Sequence, residues 1–230
     1  TAILDSLHLD KIPEGIIDGI SDYGNSIGVP TVGGELRISD YYKYNPLVNV
    51  MAVGVGRNEH LIPSTAQKPG QVIVIFGGAT GRDGIHGASF ASEDLTGEKA
   101  TKLSIQVGDP FAEKMLIEAF LEMVEEGLVE GAQDLGAGGV LSATSELVAK
   151  ANLGAIVHLD RMPLREPDMN PVEILISESQ ERMAVVTSAE KANRVIEIAR
   201  RHLLFADIVV EVTETGRYVA KYNDETVIDV

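Results

Sequence analysis

Three shortages in the sequence remove whole classes of function. The 230 residues include no cysteine, so disulfides, thiolate zinc sites and cysteine nucleophiles are excluded. Lys and Arg number 19 against 35 Asp and Glu, and they form no basic cluster of the kind that nucleic-acid binding requires. No apolar run approaches the length of a membrane span, and no signal peptide is visible. We therefore expect a cytoplasmic protein that binds neither nucleic acid nor a membrane.

The length and the first residues bear on domain organisation. A chain of 230 residues can form one large domain or two small ones. It starts with Thr1 directly before the mostly apolar AILD, which is typical of the interior of a longer protein. A polar segment with two prolines, RNEHLIPSTAQKPGQ, begins at residue 57. This segment predicts a boundary between a first part, residues 1–60, and a second part, residues 61–230.

Hydrophobic patterning predicts an α+β fold. In the first part, residues 12–28 predict a helix closed by Gly28, VPTVGGELRI predicts a strand with a glycine break, and the β-branched run 45–56 predicts a buried strand. In the second part, QVIVIFG predicts a strand and Asp109-Pro110 predicts the start of a capped helix. The predicted order β-α-α-β-α-β-α-β-β implies a mixed or antiparallel sheet layered with helices on one face.

A glycine-rich loop follows the strand QVIVIFG. Glycines recur at every third position in the loop, at Gly78, Gly81, Gly84 and Gly87. Its spacing fits neither a Walker A loop nor a dinucleotide fingerprint, but such glycines can turn backbone N–H groups toward one anion. Arg82 could then clamp a phosphate and His86 could donate to it. The alternative is a tightly turning loop without a ligand.

Two further clusters carry polar side chains at element ends. Asp134 precedes a glycine-rich turn, where a carboxylate can hold Mg²⁺ that bridges phosphates, although local capping is the alternative. Glu178, Ser179 and Gln180 stand between two apolar runs, which suits a polar ligand, with a surface turn as the alternative. Gln106 leads into the helix predicted at Asp109-Pro110 and says little alone.

Taken in order, the motifs resemble one enzyme family. GNSIGVPTVGGE, FGGATGRDGIHGASFAS, IQVGDPFAEKML, QDLGAGG and ISESQERM together resemble PurL, the synthetase subunits of phosphoribosylformylglycinamidine synthase, over essentially the whole chain. PurL belongs to the superfamily of aminoimidazole ribonucleotide (AIR) synthetase. The resemblance implies part of an AIR-synthetase-like N-terminal ATP-binding domain in residues 1–60, followed by the C-terminal α+β domain.

The resemblance implies a ligase that forms a C–N bond. ATP phosphorylates the formyl oxygen of formylglycinamide ribonucleotide (FGAR), and ammonia displaces phosphate from the iminophosphate to give the amidine, FGAM. Glutamine is the nitrogen source, through a separate glutaminase, PurQ, with PurS as adaptor. Mg²⁺ and ATP are therefore the expected cofactor and co-substrate.

The resemblance also implies roles for single residues. Gln106 matches a substrate-binding glutamine of the family, and Asp134 matches a magnesium ligand. The family's substrate-binding triplet corresponds to residues 178–180. We expect Arg82 and His86 to lie near the substrate phosphate or ribose. Asp5 and Glu35 are weaker candidates for residues near the nucleotide and its metal ion.

The sequence also departs from the family. The family's catalytic histidines and the second half of its chain find no counterpart here, so we expect no catalytic residue and no activity from this polypeptide alone. If residues 1–60 are half of a domain, their apolar strand should be exposed and promote association. Two alternatives stay open: another member of the superfamily, such as AIR synthetase, and a binding or structural module without chemistry.

Overall fold

The computed structural model describes residues 2–3, 12–42, 47–85 and 106–230. Its first part contains one long helix, α1 (Ile12–Ile27), and three short strands, β1 (Ala2–Ile3), β2 (Leu36–Arg37) and β3 (Leu47–Val48). Strand β1 pairs in parallel with β2 and antiparallel with β3. The predicted helix is confirmed and ends before Gly28, whose φ of +88° is a conformation that glycine adopts readily.

The apolar run after β3 corrects one prediction. Within the described residues 47–56, only Leu47–Val48 is a strand, so the buried strand predicted over 45–56 is wrong. Val50, Met51, Val53 and Val55 are all exposed, from 69% to 104%. A strand becomes buried only where another element covers it, and no described element covers this segment. The strand predicted from VPTVGGELRI is likewise reduced to β2.

The second part alternates strands and helices around one sheet. Its strands are β4 (Gln71–Gly77), β5 (Gly131–Asp134), β6 (Gly154–His158), β7 (Arg182–Ser188), β8 (Phe205–Thr213), β9 (Tyr218–Tyr222) and β10 (Glu225–Asp229). Its helices are α2 (Pro110–Glu125), α3 (Gly139–Ala149), α4 (Pro171–Ile176) and α5 (Ala192–Arg201). The predicted elements are confirmed, but the predicted order lacks β5 and ends in two strands where the structure has three. None of the helices in the described ranges is long and apolar enough to cross a membrane.

Seven strands form a mixed sheet in the order β10-β9-β6-β8-β4-β7-β5. β4 lies between β7 and β8 and is antiparallel to both. β6 and β9 run in parallel, while β9 and β10 form an antiparallel hairpin. The α+β class with a mixed sheet is thus confirmed.

Helices cover both faces of this sheet, which corrects the prediction of helices on one face. Ile73 packs in one core cluster with Leu147 of α3. Val74 packs in a second cluster with Met123 of α2 and Ile198 of α5. Because successive side chains of a strand point to opposite faces, these two clusters lie on opposite sides of β4. All seven residues of β4 are buried, as expected for a strand covered on both faces.

The pairing of β4 with β7 positions the candidate site. Gly77, the last residue of β4, is opposite Arg182, the first residue of β7. The segment before β7 therefore lies beside the loop after β4. A Cβ at Gly77 would lie 2.1 Å from the carbonyl oxygen of Glu181, and its φ is +129°, so only glycine fits this approach.

Candidate functional site

The glycine-rich loop packs directly on the segment 177–180. The N–H of Gly81 donates to Oγ of Ser179 at 2.9 Å, and Oγ of Ser177 donates to the carbonyl of Gly81 at 2.6 Å. At Gly84, with φ of +74°, an added Cβ would lie 2.5 Å from Cβ of Glu178. The described part of the loop and the polar triplet are thus in direct contact.

Glu178 connects three parts of the chain. Its side chain is 5% exposed, and Oε1 accepts a hydrogen bond from the N–H of Gly138 at 3.1 Å. Oε2 accepts from Nε2 of Gln106 at 3.2 Å. Nε2 of the partly buried Gln180 donates to the carbonyl of Glu178 at 3.0 Å. Gln106 and the triplet, which were predicted separately, are therefore adjacent.

Asp134 lies at the end of β5, where the turn toward α3 begins. Its side chain is exposed, whereas Gly138 and Gly139 in the turn have φ of +74° and +55°. Among the described residues, no group of three His, Asp or Glu side chains is arranged to hold a metal ion. One carboxylate still fits Mg²⁺, because this ion is commonly held by one or two carboxylates together with phosphates and water.

Carboxylates crowd each other beside this turn. Burial raises the pKa of Glu113 above its ordinary value, and the negative charges of Glu181 and Asp134 raise it further. Burial is also the main cause that raises the pKa of Glu181, although Oε1 of Glu181 accepts hydrogen bonds from Oη of Tyr23 at 2.7 Å and from the N–H of Asp109 at 3.0 Å. A cation beside these groups would relieve their mutual repulsion.

Arg82 points its donors at protein groups. Its Nε donates to Oε1 of Glu173 at 3.0 Å, Nη1 donates to Oε2 of Glu166 at 3.2 Å, and Nη2 donates to the carbonyl of Asp168 at 2.8 Å. The hydrogen bond to Glu173 is the main cause that raises the pKa of Arg82. In this structure Arg82 anchors the loop and is not joined to the triplet, and its phosphate-binding role stays a prediction. His86 lies outside the described residues.

Of the two weaker candidates, Asp5 and Glu35, the structure describes only Glu35. Glu35 is exposed in the first part and forms an ion pair with Arg37. Asp5 lies outside the described residues. Their proposed roles on the nucleotide side stay predictions.

Sequence reasoning missed two charged residues at the site. Arg182 is 3% exposed and donates to the backbone of the triplet segment, with Nε 2.7 Å from the carbonyl of Ser179. Asp83 is 7% exposed and accepts from Nη2 of Arg165 at 2.6 Å and from the hydroxyl of Ser179. Arg182 could have been found from its position, because a charged residue directly precedes the apolar run MAVV of a buried strand.

Comparisons with known proteins identify the family and the fold. The family model described as AIR synthase related protein, C-terminal domain, matches residues 68–223, and the corresponding N-terminal domain model matches residues 1–56. Phosphoribosylformylglycinamidine synthase subunit PurL of Thermotoga maritima is 79% identical over 230 residues, which are 100% of this chain and 38% of that protein. The chain therefore spans less than half of the relative's length.

Two solved structures have the same fold over the whole chain. T. maritima PurL complexed with FGAR superposes with a TM-score of 0.92 and 76% identity, covering 100% of this chain and 37% of that one. T. maritima PurL complexed with ATP superposes with a TM-score of 0.87 and 68% identity, covering 100% and 36%.

Proposed function

Because the chain belongs to the family of AIR synthase related proteins, we propose that it supplies part of the substrate site of an ATP-dependent FGAM synthetase. The reaction is the conversion of FGAR and ammonia to FGAM in purine biosynthesis. The likeness to a PurL structure complexed with FGAR supports this choice of substrate. This chain's part in the reaction is to bind and orient FGAR.

One observation carries the proposal: Gln106, the triplet 178–180 and the glycine-rich loop meet at one place. Nε2 of Gln106 donates to Glu178, and Gly84 lies against the same side chain. Amide and carboxylate groups that are fixed by the protein can hydrogen-bond a ribonucleotide's amide and hydroxyl groups without reorganising. The partly exposed Gln180 is the member of the triplet best placed to reach a ligand.

ATP and Mg²⁺ are the proposed co-substrate and cofactor. The likeness to a PurL structure complexed with ATP supports ATP. Asp134 is the proposed Mg²⁺ ligand, because its carboxylate is exposed beside crowded carboxyl groups. Mg²⁺ bound there would neutralise charge on a phosphoryl group during transfer.

We also propose the two-part organisation with a boundary near residue 60. The separate family matches to residues 1–56 and 68–223 support it. The name of the relative, a synthase subunit, supports assembly with other subunits, for which we propose the PurQ glutaminase and the PurS adaptor. We propose the cytoplasm as the location, on the sequence evidence alone.

Calorimetric titration of the chain with FGAR, with and without Mg²⁺, tests the proposal. We expect FGAR to bind at least about tenfold more tightly than AIR, which corresponds to about 1.4 kcal/mol. Tighter binding of AIR would favour an AIR synthetase. If a chain that circular dichroism shows to be folded binds neither compound, the proposal is wrong.

A matched pair of variants locates the binding. Gln180→Ala removes an amide from the triplet, whereas Gln67→Ala removes one at the other end of β4, where its Nε2 donates to the carbonyl of Glu130. We expect only the first to weaken FGAR binding. Equal effects of both would place the binding elsewhere.

A further inference from the structure

Arg182 spans the two segments that form the candidate site. Its Nε and Nη2 donate to the carbonyl oxygens of Ser179 and Ser177, each at 2.7 Å. Its Nη1 donates to Oγ1 of Thr80, in the glycine-rich loop, at 2.9 Å. One guanidinium group therefore binds the backbone on either side of Glu178 and the loop that faces it.

The guanidinium is buried without a carboxylate partner. Arg182 is 3% exposed, and no described carboxylate forms an ion pair with it, although the charge of Asp83 favours its protonated form. Burial lowers the pKa of Arg182 to about 10. Removing a cation from water costs free energy, which is offset here by three hydrogen bonds and by the attraction of Asp83.

Thr80 is the residue of the glycine-rich loop that Arg182 contacts, and its own backbone is held in place. Its N–H donates to the carbonyl of Pro163 at 2.8 Å, and its carbonyl accepts from the N–H of Arg165 at 2.8 Å. With its backbone held in this way, the Thr80 hydroxyl is a fixed acceptor for Arg182. The side chain of Arg182 thus connects the loop and the triplet segment through hydrogen bonds.

We propose that Arg182 is a positioning residue, which sets the separation between the glycine-rich loop and residues 177–180 and so shapes the ligand site without contacting the ligand. The inference rests on the proposed function, because the ligand that it names is FGAR. The planar fork of arginine can address three acceptors in fixed directions, whereas lysine presents a single ammonium group on a flexible chain.

Two sets of variants test the proposal in the intact chain. Arg182→Lys keeps the positive charge and removes the fork. Thr80→Val removes one acceptor at nearly constant volume, and Thr80→Ser retains the hydroxyl as its matched control. We expect FGAR affinity to fall about tenfold or more in Arg182→Lys, several-fold in Thr80→Val, and by less than about twofold in Thr80→Ser.

Amide hydrogen exchange of the free chain gives a second measurement that needs no ligand. We expect faster exchange in 78–85 and 177–181 for Arg182→Lys, with unchanged exchange in the distant hairpin of β9 and β10. Unchanged exchange in both site segments would overturn the proposal, as would uniformly faster exchange with intact FGAR affinity, which indicates a general structural role. If the wild-type chain does not bind FGAR, the proposed function fails, and the exchange data alone decide whether Arg182 orders the two segments.

Discussion

Nε2 of Gln106 lies 3.2 Å from Oε2 of Glu178, although the two residues are 72 positions apart. Gln106 precedes the helix α2, whereas Glu178 lies between α4 and β7. The pairing of β7 with β4 places the loop after β4 against Glu178, and Gly84 of this loop lies beside both Glu178 and Gln106. This contact joins two motifs that are separate in the sequence into one candidate site.

Glu178→Gln should weaken the site while preserving its shape. The glutamine amide can offer only one acceptor oxygen to the two donors that now bind the carboxylate, the N–H of Gly138 and Nε2 of Gln106. We expect the free energy of unfolding to fall by about 1–3 kcal/mol and FGAR affinity to fall with it. Chemical denaturation and calorimetric titration measure the two effects.

Glu130→Gln is the control for that substitution. Oε2 of Glu130 accepts from Nε2 of Gln71 at 2.6 Å, which is a similar pair at the other end of β4. We expect it to lower stability without changing FGAR affinity. If Glu178→Gln binds FGAR as tightly as the wild type, Glu178 is not part of the ligand site.

Gly84→Ala should disturb the site more than its conformation alone explains. Both Gly84 and Gly70 have positive φ, +74° and +82°, so alanine is strained at either position, by about 1 kcal/mol. A Cβ at Gly84 would also lie 2.5 Å from Cβ of Glu178, whereas at Gly70 nothing lies within 4 Å. Thermal unfolding should show the larger loss for Gly84→Ala, and only this variant should lose FGAR binding. Equal losses would show that the contact with Glu178 is unimportant.

Glu113→Gln should stabilise the protein at neutral pH. Because the pKa of Glu113 is raised in the folded state, the native chain holds its proton more tightly than the unfolded chain. The wild-type free energy of unfolding therefore falls as the pH rises from below the ordinary pKa of a glutamate through the raised pKa of Glu113. We expect the variant to unfold at a higher temperature than the wild type at pH 7, and at a similar temperature near pH 4.

Glu118→Gln, on the same helix, should behave in the opposite way. A hydrogen bond from Lys114 holds the pKa of Glu118 below its ordinary value. At a pH above that ordinary pKa, the charged form of Glu118 therefore stabilises the fold. This variant should therefore lose stability at pH 7 and not gain it. A loss of stability at pH 7 in Glu113→Gln would contradict the crowding of carboxylates beside Asp134.

The exposed run after β3 should cause the chain to associate. Val53 and Val55 are 78% and 104% exposed, close to Val50 and Met51, which are also exposed. Such a contiguous apolar surface is typical of an interface. We expect concentration-dependent elution in size-exclusion chromatography, which Val53→Asp with Val55→Asp should abolish. A monomer at high concentration, with protected amides in residues 47–56, would contradict this prediction.

The sequence predicted elements well where local chemistry decides them. The side chain of Asp109 caps α2 by accepting from two backbone N–H groups, and the capping box of Asn170 starts α4. The sequence did not reveal β5, because GAQD lacks β-branched residues and is held by its pairing with β7. The helices on both faces and the exposure of residues 47–56 depend on what packs against each strand, which no local pattern shows.

The candidate site was predictable to a similar extent. The triplet 178–180 stood out as consecutive polar residues between two apolar runs, whereas Gln106 was singled out only by the resemblance to the PurL family. The structure brings them together. Arg182 was missed because its partners are backbone carbonyls and one hydroxyl. Every residue has a backbone carbonyl, so the sequence does not show which ones a side chain will contact. The hydrogen bonds of Arg82 to Glu166 and Glu173, likewise, depend on how the loop folds over α4.

A crystal structure of the chain with FGAR would test the proposed site most directly. We expect polar atoms of FGAR at hydrogen-bonding distance, about 2.7–3.2 Å, from Gln180, Gln106 or backbone N–H groups of the glycine-rich loop. FGAR bound away from these residues would contradict the proposal that the triplet and the loop form its binding site.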